Sequence, residues 1–271
     1  MTQHTPTPAP AASGGAASGV MEATRMGWRL MRSDFWALWV VALVEMLIAA
    51  AAGSVLGIFS VILVVPPLVA GMFYVVARRI DGGPAEVGDL FAGFQKRFGQ
   101  SVLGFLPVSL ASMVFAMLLG AVIAAAIIVG LAVAEAARGD EEIAIAAVIL
   151  GILAVLVIGG ILFIAVQVFT LFFEFVFPAV WDHPESGWAA AKASARLVRQ
   201  HFLSVVGLVL LFMVIGMAAQ LIGMLACCIG VFFTAPVVVV WQTATMIYLY
   251  RAWTGRPGGA VADGSPPNAR T

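Results

Sequence analysis

Three long apolar stretches alternate along this chain with short polar and basic segments. They cover residues 35–77, 101–181 and 202–250, and charged residues 138–142 interrupt the second. As straight helices the first and third would be about 65 and 70 Å long, at about 1.5 Å per residue. The hydrocarbon core of a bilayer is only about 30 Å thick, so each stretch predicts two membrane spans. The pattern therefore predicts an all-α membrane helix bundle with six transmembrane helices, arranged as three hairpins.

The predicted turns lie where glycine, proline or charge interrupts each stretch. They are expected at Gly53–Ser60, Arg138–Glu142 and Cys228–Pro236. Pro107 is expected to separate an interfacial segment from the third span, and Gly159–Gly160 to kink the fourth. Transmembrane β-barrels are excluded, because their strands have about 10 residues of alternating polarity.

Basic residues predict the orientation of the hairpins. Thirteen of the fourteen Lys and Arg residues fall before, between or after the hairpins, and only Arg138 falls at a hairpin turn. Basic loops stay on the cytoplasmic side of a membrane. An odd number of spans in any stretch would scatter these residues over both faces. We therefore expect a multi-pass protein of the cell (inner) membrane with both termini in the cytoplasm.

A basic stripe recurs ahead of the first and third hairpins. Its residues are Arg25, Arg29 and Arg32 in the first copy and Lys192, Arg196 and Arg199 in the second. The spacing of i, i+4 and i+7 places each triplet on one face of a helix. A looser aromatic copy, residues 89–98, precedes the second hairpin. We therefore expect three units, each a cytoplasmic amphipathic helix followed by a hairpin, and a capping box of Asp182 and Glu185 opens the third.

Composition agrees with a membrane domain between two tails. Hydrophobic residues make up 62% and charged residues 10% of the chain, against about 45–50% and about 25% in soluble domains. Residues 1–18 and 254–271 are rich in small residues and proline, and are predicted to be disordered. Residues 19–253 remain as the transmembrane domain. The net charge is zero, so charge gives no indication of nucleic acid as a partner.

The chain also resembles a known group of proteins. The residues concerned are Pro67-Leu68-x2-Gly71-x2-Tyr74-x3-Arg78, Asp89-Leu90-Phe91 with the aromatic and basic residues that follow, and Ala189–Phe202. Over roughly residues 20–253, the chain is similar to uncharacterised bacterial six-span membrane proteins related to the membrane domain of glycerophosphoryl diester phosphodiesterases. The resemblance implies a six-helix bundle. The phosphodiesterase catalytic domain has no counterpart in this sequence, so the resemblance implies none of its chemistry.

Two glutamates are candidates for a polar site inside the membrane. Glu45 lies about ten residues into the first predicted span, where a carboxyl group costs about 2.5–3.5 kcal/mol on insertion scales and should face the bundle interior. Glu174 lies nearer the cytoplasmic end of the fourth span. Gln167, Gln220 and Gln242 could line a polar path with them, or form hydrogen bonds between helices. A protonated Glu45 bonded to a neighbouring helix is the alternative to a functional one.

Common catalytic and metal-binding motifs are missing from the sequence. It contains no HExxH, Walker A or GxSxG motif, so we expect no enzyme activity, no cofactor and no metal ion. The sequence favours a non-enzymatic membrane-organising or scaffolding protein whose basic stripes contact anionic lipid headgroups, each residue contributing about 1 kcal/mol. The alternative is a transporter or channel for a small solute, ion or lipid, with Glu45 in its path. The sequence does not determine the oligomeric state.

Overall fold

The computed structural model describes residues 16–136, 141–182, 186–225 and 229–255. Most of the two predicted disordered tails lies outside these ranges. The first helix begins at Ala16 and the last ends at Thr254, so the helical part is slightly longer at both ends than residues 19–253.

All regular secondary structure in the described ranges is helical. The elements are α1 (Ala16–Ser33), α2 (Phe35–Leu56), α3 (Ile58–Leu63), α4 (Val65–Ile80), a 3₁₀ helix (Val87–Phe91), α5 (Ala92–Lys96), α6 (Phe98–Ala136), α7 (Glu141–Leu171), α8 (Val176–Asp182), α9 (Gly187–Gln200), α10 (Phe202–Leu225) and α11 (Ile229–Thr254). Within the described residues, five helical segments are long and apolar enough to cross a bilayer: Phe35–Leu56, Phe98–Val133, Val148–Asp182, Phe202–Leu225 and Gly230–Thr254. The protein is therefore an all-α membrane protein with several candidate spans.

The apolar surface is very uneven along the chain. Buried side chains concentrate in α1, α4, α8, α9, the first part of α6 and the second part of α11. Between residues 110 and 170 of α6 and α7, no described side chain is buried, although the two helices pack against each other. Soluble proteins rarely leave so large an apolar surface uncovered. This part of the molecule therefore has the surface of a lipid-facing hairpin.

The predicted second span is interrupted. The predicted turn at Gly53–Ser60 is confirmed, since α2 ends at Leu56 and Gly57 has a φ of 54°, a left-handed conformation that favours glycine. The chain then forms α3, breaks at Val64 and continues as α4. The 16 residues of α4 cover only about 24 Å, so no single helix in this region is long enough to span the hydrocarbon core.

Two interruptions predicted at prolines are wrong. Pro107 lies inside a continuous α6, and Pro236 lies inside α11. Membrane helices tolerate proline because neighbouring groups can satisfy the freed backbone carbonyl. The helix α7 continues through Gly159–Gly160, where a kink stays a prediction, and the chain leaves the helix at residues 172–175, before α8. The predicted third turn begins with Cys228, which lies outside the described residues, but α11 has already begun at Ile229.

The predicted capping box is also wrong. Asp182 is the last residue of α8, and Glu185 lies outside the described residues. Ser186 caps α9 instead, because its hydroxyl accepts a hydrogen bond from the Trp188 backbone N–H at 3.2 Å. Gly187 follows it, and a β-carbon there would overlap the Gln100 carbonyl oxygen of α6. The close contact between α9 and α6 explains why the helix starts at this glycine.

The segment between α4 and α6 forms short helices that pack tightly on α4. A β-carbon on Gly71 would overlap the Leu90 carbonyl oxygen, and one on Gly93 would overlap the Pro67 carbonyl oxygen. Arg78 forms an ion pair with Asp89. The predicted amphipathic helix at 89–98 is thus a 3₁₀ turn followed by the five-residue α5, because it follows the surface of α4 instead of lying free.

The last helix contacts the start of α2 and the end of α4. The indole Nε1 of Trp39 donates a hydrogen bond to the Phe233 carbonyl oxygen at 3.1 Å. At the other end of α11, Arg251 pairs with Asp81 at 2.5 Å. The hairpin pattern did not predict that the start of α11 lies against the start of α2.

Candidate functional site

Glu45 lies on the buried face of α2. It shares that face with Leu38, Val41 and Ala42, which precede it by seven, four and three residues and so lie along one side of the helix. Glu45 itself is only 7% exposed. The same apolar periodicity that packs α2 against α4 and α11 thus carries a carboxyl group into the protein interior.

A cavity of about 480 Å³ opens in front of this carboxyl group. Six helices contribute to its walls, with Glu45 from α2, Met72 from α4, Phe105 from α6, Thr170 from α7, Phe177 from α8 and Gln242 from α11. Glu174, from the segment between α7 and α8, lines the same cavity. The structure therefore brings together the two glutamates that the sequence singled out, although 129 positions separate them along the chain.

One oxygen of Glu45 has no hydrogen-bond partner among the described residues. This atom, Oε2, is buried from solvent. A buried polar atom without a partner costs about 1–3 kcal/mol, and more when it is charged. A carboxyl group held in this state is suited to carry a proton, because protonation removes the cost of a buried, unpartnered charge.

Glu174 lies where the helix is interrupted. Residues 172–175 connect α7 to α8 without regular α-helical hydrogen bonding, and the buried hydroxyl of Ser194 bridges the gap. Ser194 Oγ donates to the Phe172 carbonyl oxygen at 2.8 Å and accepts from the Phe175 backbone N–H at 3.1 Å. Irregular backbone at membrane depth occurs where protein buries it or where it lines a cavity, and here both conditions hold.

Two further cavities adjoin the one at Glu45. The first, about 340 Å³, shares Phe73 with it and includes the charged side chains Asp81, Asp182 and Arg251. The second, about 660 Å³, shares Thr170, Glu174 and Gln242 with it. The three cavities therefore form a row from charged helix ends to the lipid-facing surface of α7 and α10. Gln167 lines the last of them, whereas Gln220 lines a separate groove on α10.

An aromatic cluster lines the cavity at Glu45 where it adjoins the charged cavity. The rings of Phe73 and Phe177 stack with centroids 5.7 Å apart, and Phe105 contacts Phe177 at 5.2 Å. Phe73 and Phe177 are both buried. Phe73 lines both cavities, so its ring lies where the two adjoin.

The two basic stripes lie on exposed faces of α1 and α9. Their residues are Arg25, Arg29, Arg32, Lys192, Arg196 and Arg199, all exposed. The opposite face of α1 packs on α11, where Gly27 approaches Thr245. The three arginines of α1 line a crevice of about 340 Å³ together with Trp28 and Trp241.

Sequence analysis missed several residues of this site. Ser194 and Thr243 carry small polar side chains in segments that were assigned to packing or to topology. Phe73 and Phe177 belong to apolar runs in which no phenylalanine is distinguishable from its neighbours. Only a residue type that is costly in an apolar run, such as glutamate, gave a signal in the sequence.

Among the described residues, no group of three or more His, Cys, Asp and Glu side chains could hold a metal ion. His183 and Asp140 lie outside the described residues, and His201 stacks on Trp253 with ring centroids 4.2 Å apart.

No family model, no curated protein and no solved structure matches the chain.

Proposed function

We propose that the protein is a transporter that carries a small solute across a bacterial inner membrane through the cavity at Glu45. The observation that carries this proposal is the unpartnered, buried carboxyl oxygen of Glu45 in a cavity shared with Glu174. Ionisable side chains inside a membrane are rare because they are costly, and they typically mark ion or substrate pathways.

The interrupted helix supports the same function. Many transporters form their substrate sites from discontinuous membrane helices near the middle of the bilayer. Here the break at residues 172–175 brings Glu174 to the cavity, and α4 begins at a second break, Val64. A protein that only organised the bilayer would need neither feature.

For the topology we propose six spans, with α3 and α4 together forming the second and both termini in the cytoplasm. Ion pairs between helix ends support one common face. Asp34, ahead of α2, pairs with Arg79 at 2.9 Å, and Asp81, after α4, pairs with Arg251. These contacts link the ends of α1, α4 and α11, where three of the four basic segments lie.

Flux through reconstituted protein tests the transport function. Proteoliposomes containing the full chain would be assayed with three radiolabelled probes: benzyltrimethylammonium as a cation, glycerol as a neutral solute and phosphate as an anion. We expect uptake of at least one probe above that of empty liposomes. Glu45→Gln should lower that uptake at least tenfold, because the amide keeps the shape of the carboxyl group but cannot be charged.

The matched control is Glu22→Gln, since Glu22 is exposed on α1 and lies outside all three cavities. Its uptake should equal that of the unmodified protein. Transport through this cavity is refuted if no probe enters faster than into empty liposomes, or if Glu45→Gln leaves uptake unchanged.

We propose lipid contact as a second function, compatible with the first. Arg25, Arg29 and Arg32 are exposed, and none forms an ion pair with a described carboxylate. Together with Trp28 and Trp241 they line a crevice, and this pairing of arginine with tryptophan is typical of the membrane interface. Anionic lipid headgroups would supply the negative charge that pairs with these three guanidinium groups.

Competition between lipids tests this contact. The protein would be reconstituted into nanodiscs with equal fractions of phosphatidylglycerol and phosphatidylcholine, and the retained lipid measured by mass spectrometry after mild delipidation. Arg25→Gln/Arg29→Gln/Arg32→Gln should lower the retained phosphatidylglycerol, since each cation contributes about 1 kcal/mol near an anionic surface. Equal retention by the triple variant and the unmodified protein would argue against a lipid-binding role for this face.

The proposal contains no enzymatic step, cofactor or nucleic-acid partner. Kinship with the membrane domain of glycerophosphoryl diester phosphodiesterases remains a prediction from the motif residues. Several of them now have a structural role, since Gly71 allows the approach of Leu90 and Arg78 pairs with Asp89.

A further inference from the structure

We infer that the solute is an apolar organic cation, bound between Glu45 and Glu174; this inference rests on the proposed transport function. The charge of the cavity is the first argument. Two carboxyl groups line it, and none of its described lining residues is Lys, Arg or His. An anion entering this cavity would meet two acidic groups and no basic one, whereas a cation would be attracted by both carboxyl groups.

The remaining walls favour an organic cation over a hydrated metal ion. Phe105, Phe173 and Phe177 contribute aromatic surface, and three methionines, Met46, Met72 and Met246, contribute soft apolar surface. Aromatic faces attract cations, and methionine adapts to ligands of irregular shape. Ca²⁺ and Mg²⁺ instead require about six or more oxygen ligands at fixed distances, whereas the described lining of this cavity offers two carboxyl groups among mainly apolar side chains.

Size and access agree with the same class of solute. The cavity volume of about 480 Å³ falls within the range of about 300–1,000 Å³ that is typical of small-molecule sites. The neighbouring cavity, which shares Glu174, is lined by exposed residues of α7 and α10 such as Ile164 and Leu210. An apolar cation that dissolves in the bilayer can therefore reach the carboxyl groups from the lipid side.

Direct binding to the purified full chain in detergent tests the inference. Tritiated tetraphenylphosphonium is the probe, and binding is measured by scintillation proximity. We expect one saturable site per chain. Glu45→Gln should weaken binding at least tenfold and Glu174→Gln at least threefold, while Glu45→Asp, which keeps the charge, should remain within threefold of the unmodified protein. Glu22→Gln should leave binding unchanged.

Competitors of matched shape separate charge from hydrophobicity. Unlabelled benzyltrimethylammonium should displace the probe, whereas neopentylbenzene, which has the same shape without the charge, and the anion phenylmethanesulfonate should not. Absence of saturable binding, equal displacement by neopentylbenzene, or unchanged affinity in Glu45→Gln would each overturn the assignment of a cation. Gel filtration of each variant verifies that it is folded, and a folded Glu45→Asp with no binding would also count against the inference.

The two proposals fail in different ways. If phosphate or glycerol shows uptake that depends on Glu45 and tetraphenylphosphonium does not bind, transport stands and the cationic class is wrong. If tetraphenylphosphonium binds with dependence on Glu45 and no probe crosses the membrane, the site is a cation-binding site and transport is wrong.

Discussion

Ser194 shows at the residue scale how a membrane protein can tolerate an interrupted helix. Its hydroxyl satisfies one backbone carbonyl and one backbone N–H on either side of the break that contains Glu174. Without that hydroxyl, two backbone groups would lie in an apolar interior with no partner. The side chain therefore determines whether the backbone beside the cavity keeps its shape.

Ser194→Ala should destabilise the protein by about 2–3 kcal/mol, because the variant leaves buried polar backbone groups unsatisfied. The measurement is denaturant unfolding of the purified protein in detergent. Ser54→Ala is the control, since the Ser54 hydroxyl bonds only the exposed end of its own helix, and its stability should change by less than about 0.5 kcal/mol. A Ser194→Ala protein as stable as this control would show that the bridge contributes nothing.

Glu45 could be predicted from the sequence and its surroundings could not. A single carboxylate in an otherwise uncharged run of residues 35–77 is conspicuous, because its cost in hydrocarbon is large. Which residues face Glu45 depends on how separate helices pack around it. Glu174 and Gln242 come from distant parts of the chain and line the same cavity as Glu45. No local sequence pattern encodes that arrangement.

At the scale of the elements, two glycines determine how close α4 and the following segment lie. Gly71 faces the backbone of Leu90, and Gly93 faces that of Pro67. Backbone contact of this kind is possible only where both helices lack a side chain at the crossing. The loose aromatic helix predicted at residues 89–98 is divided in two because it follows this contact.

Gly71→Ala should destabilise the protein by at least about 1–3 kcal/mol, because the new methyl group overlaps a backbone carbonyl that cannot move independently. Gly99→Ala is the matched control, since a β-carbon there meets no atom within 4 Å, and alanine favours the helix over glycine by about 1 kcal/mol. Thermal unfolding followed by circular dichroism should therefore separate the two variants in opposite directions. Equal effects of both substitutions would contradict the close contact of α4.

Helix ends were predictable only where a residue at the end itself determines the backbone conformation. Gly57 ends α2 because its left-handed backbone favours glycine, and the sequence pointed to that turn. Pro107 and Pro236 suggested breaks that the structure does not contain, because a proline inside a membrane helix can be accommodated by its neighbours. The break at residues 172–175 precedes Pro178, which has no N–H to donate to the Glu174 carbonyl oxygen. Its shape also depends on Ser194, which lies in another helix.

At the scale of the whole molecule, helix lengths and basic residues were sufficient to predict a multi-pass helical protein. The contact between the starts of α2 and α11, made by Trp39 and Phe233, was not predictable. Counting apolar residues gives the number of times a chain can cross the bilayer, and says nothing about which helices touch.

Cysteine labelling tests the proposed six-span topology. In a variant with Cys227 and Cys228 replaced by serine, Gly88→Cys and Gly99→Cys should react with a membrane-impermeant maleimide only in inside-out vesicles, because both lie in segments proposed to be cytoplasmic. A β-carbon at either position meets no atom within 4 Å. Glu142→Cys, at the start of α7, should react only in right-side-out vesicles. Labelling of Gly88→Cys from the same side as Glu142→Cys would refute the proposed topology.

The lengths of α6 and α7 have a consequence for the surrounding lipid. At 39 and 31 residues they extend about 58 and 46 Å, against about 33 Å for the 22 residues of α2. A bilayer adapted to α2 is too thin for this pair, so either the pair leans or the acyl chains around it stretch, at a cost of a fraction of a kcal/mol per Å. Acyl-chain length thereby becomes a variable that acts on the protein, and a membrane with longer lipid tails would hold α6 and α7 more upright.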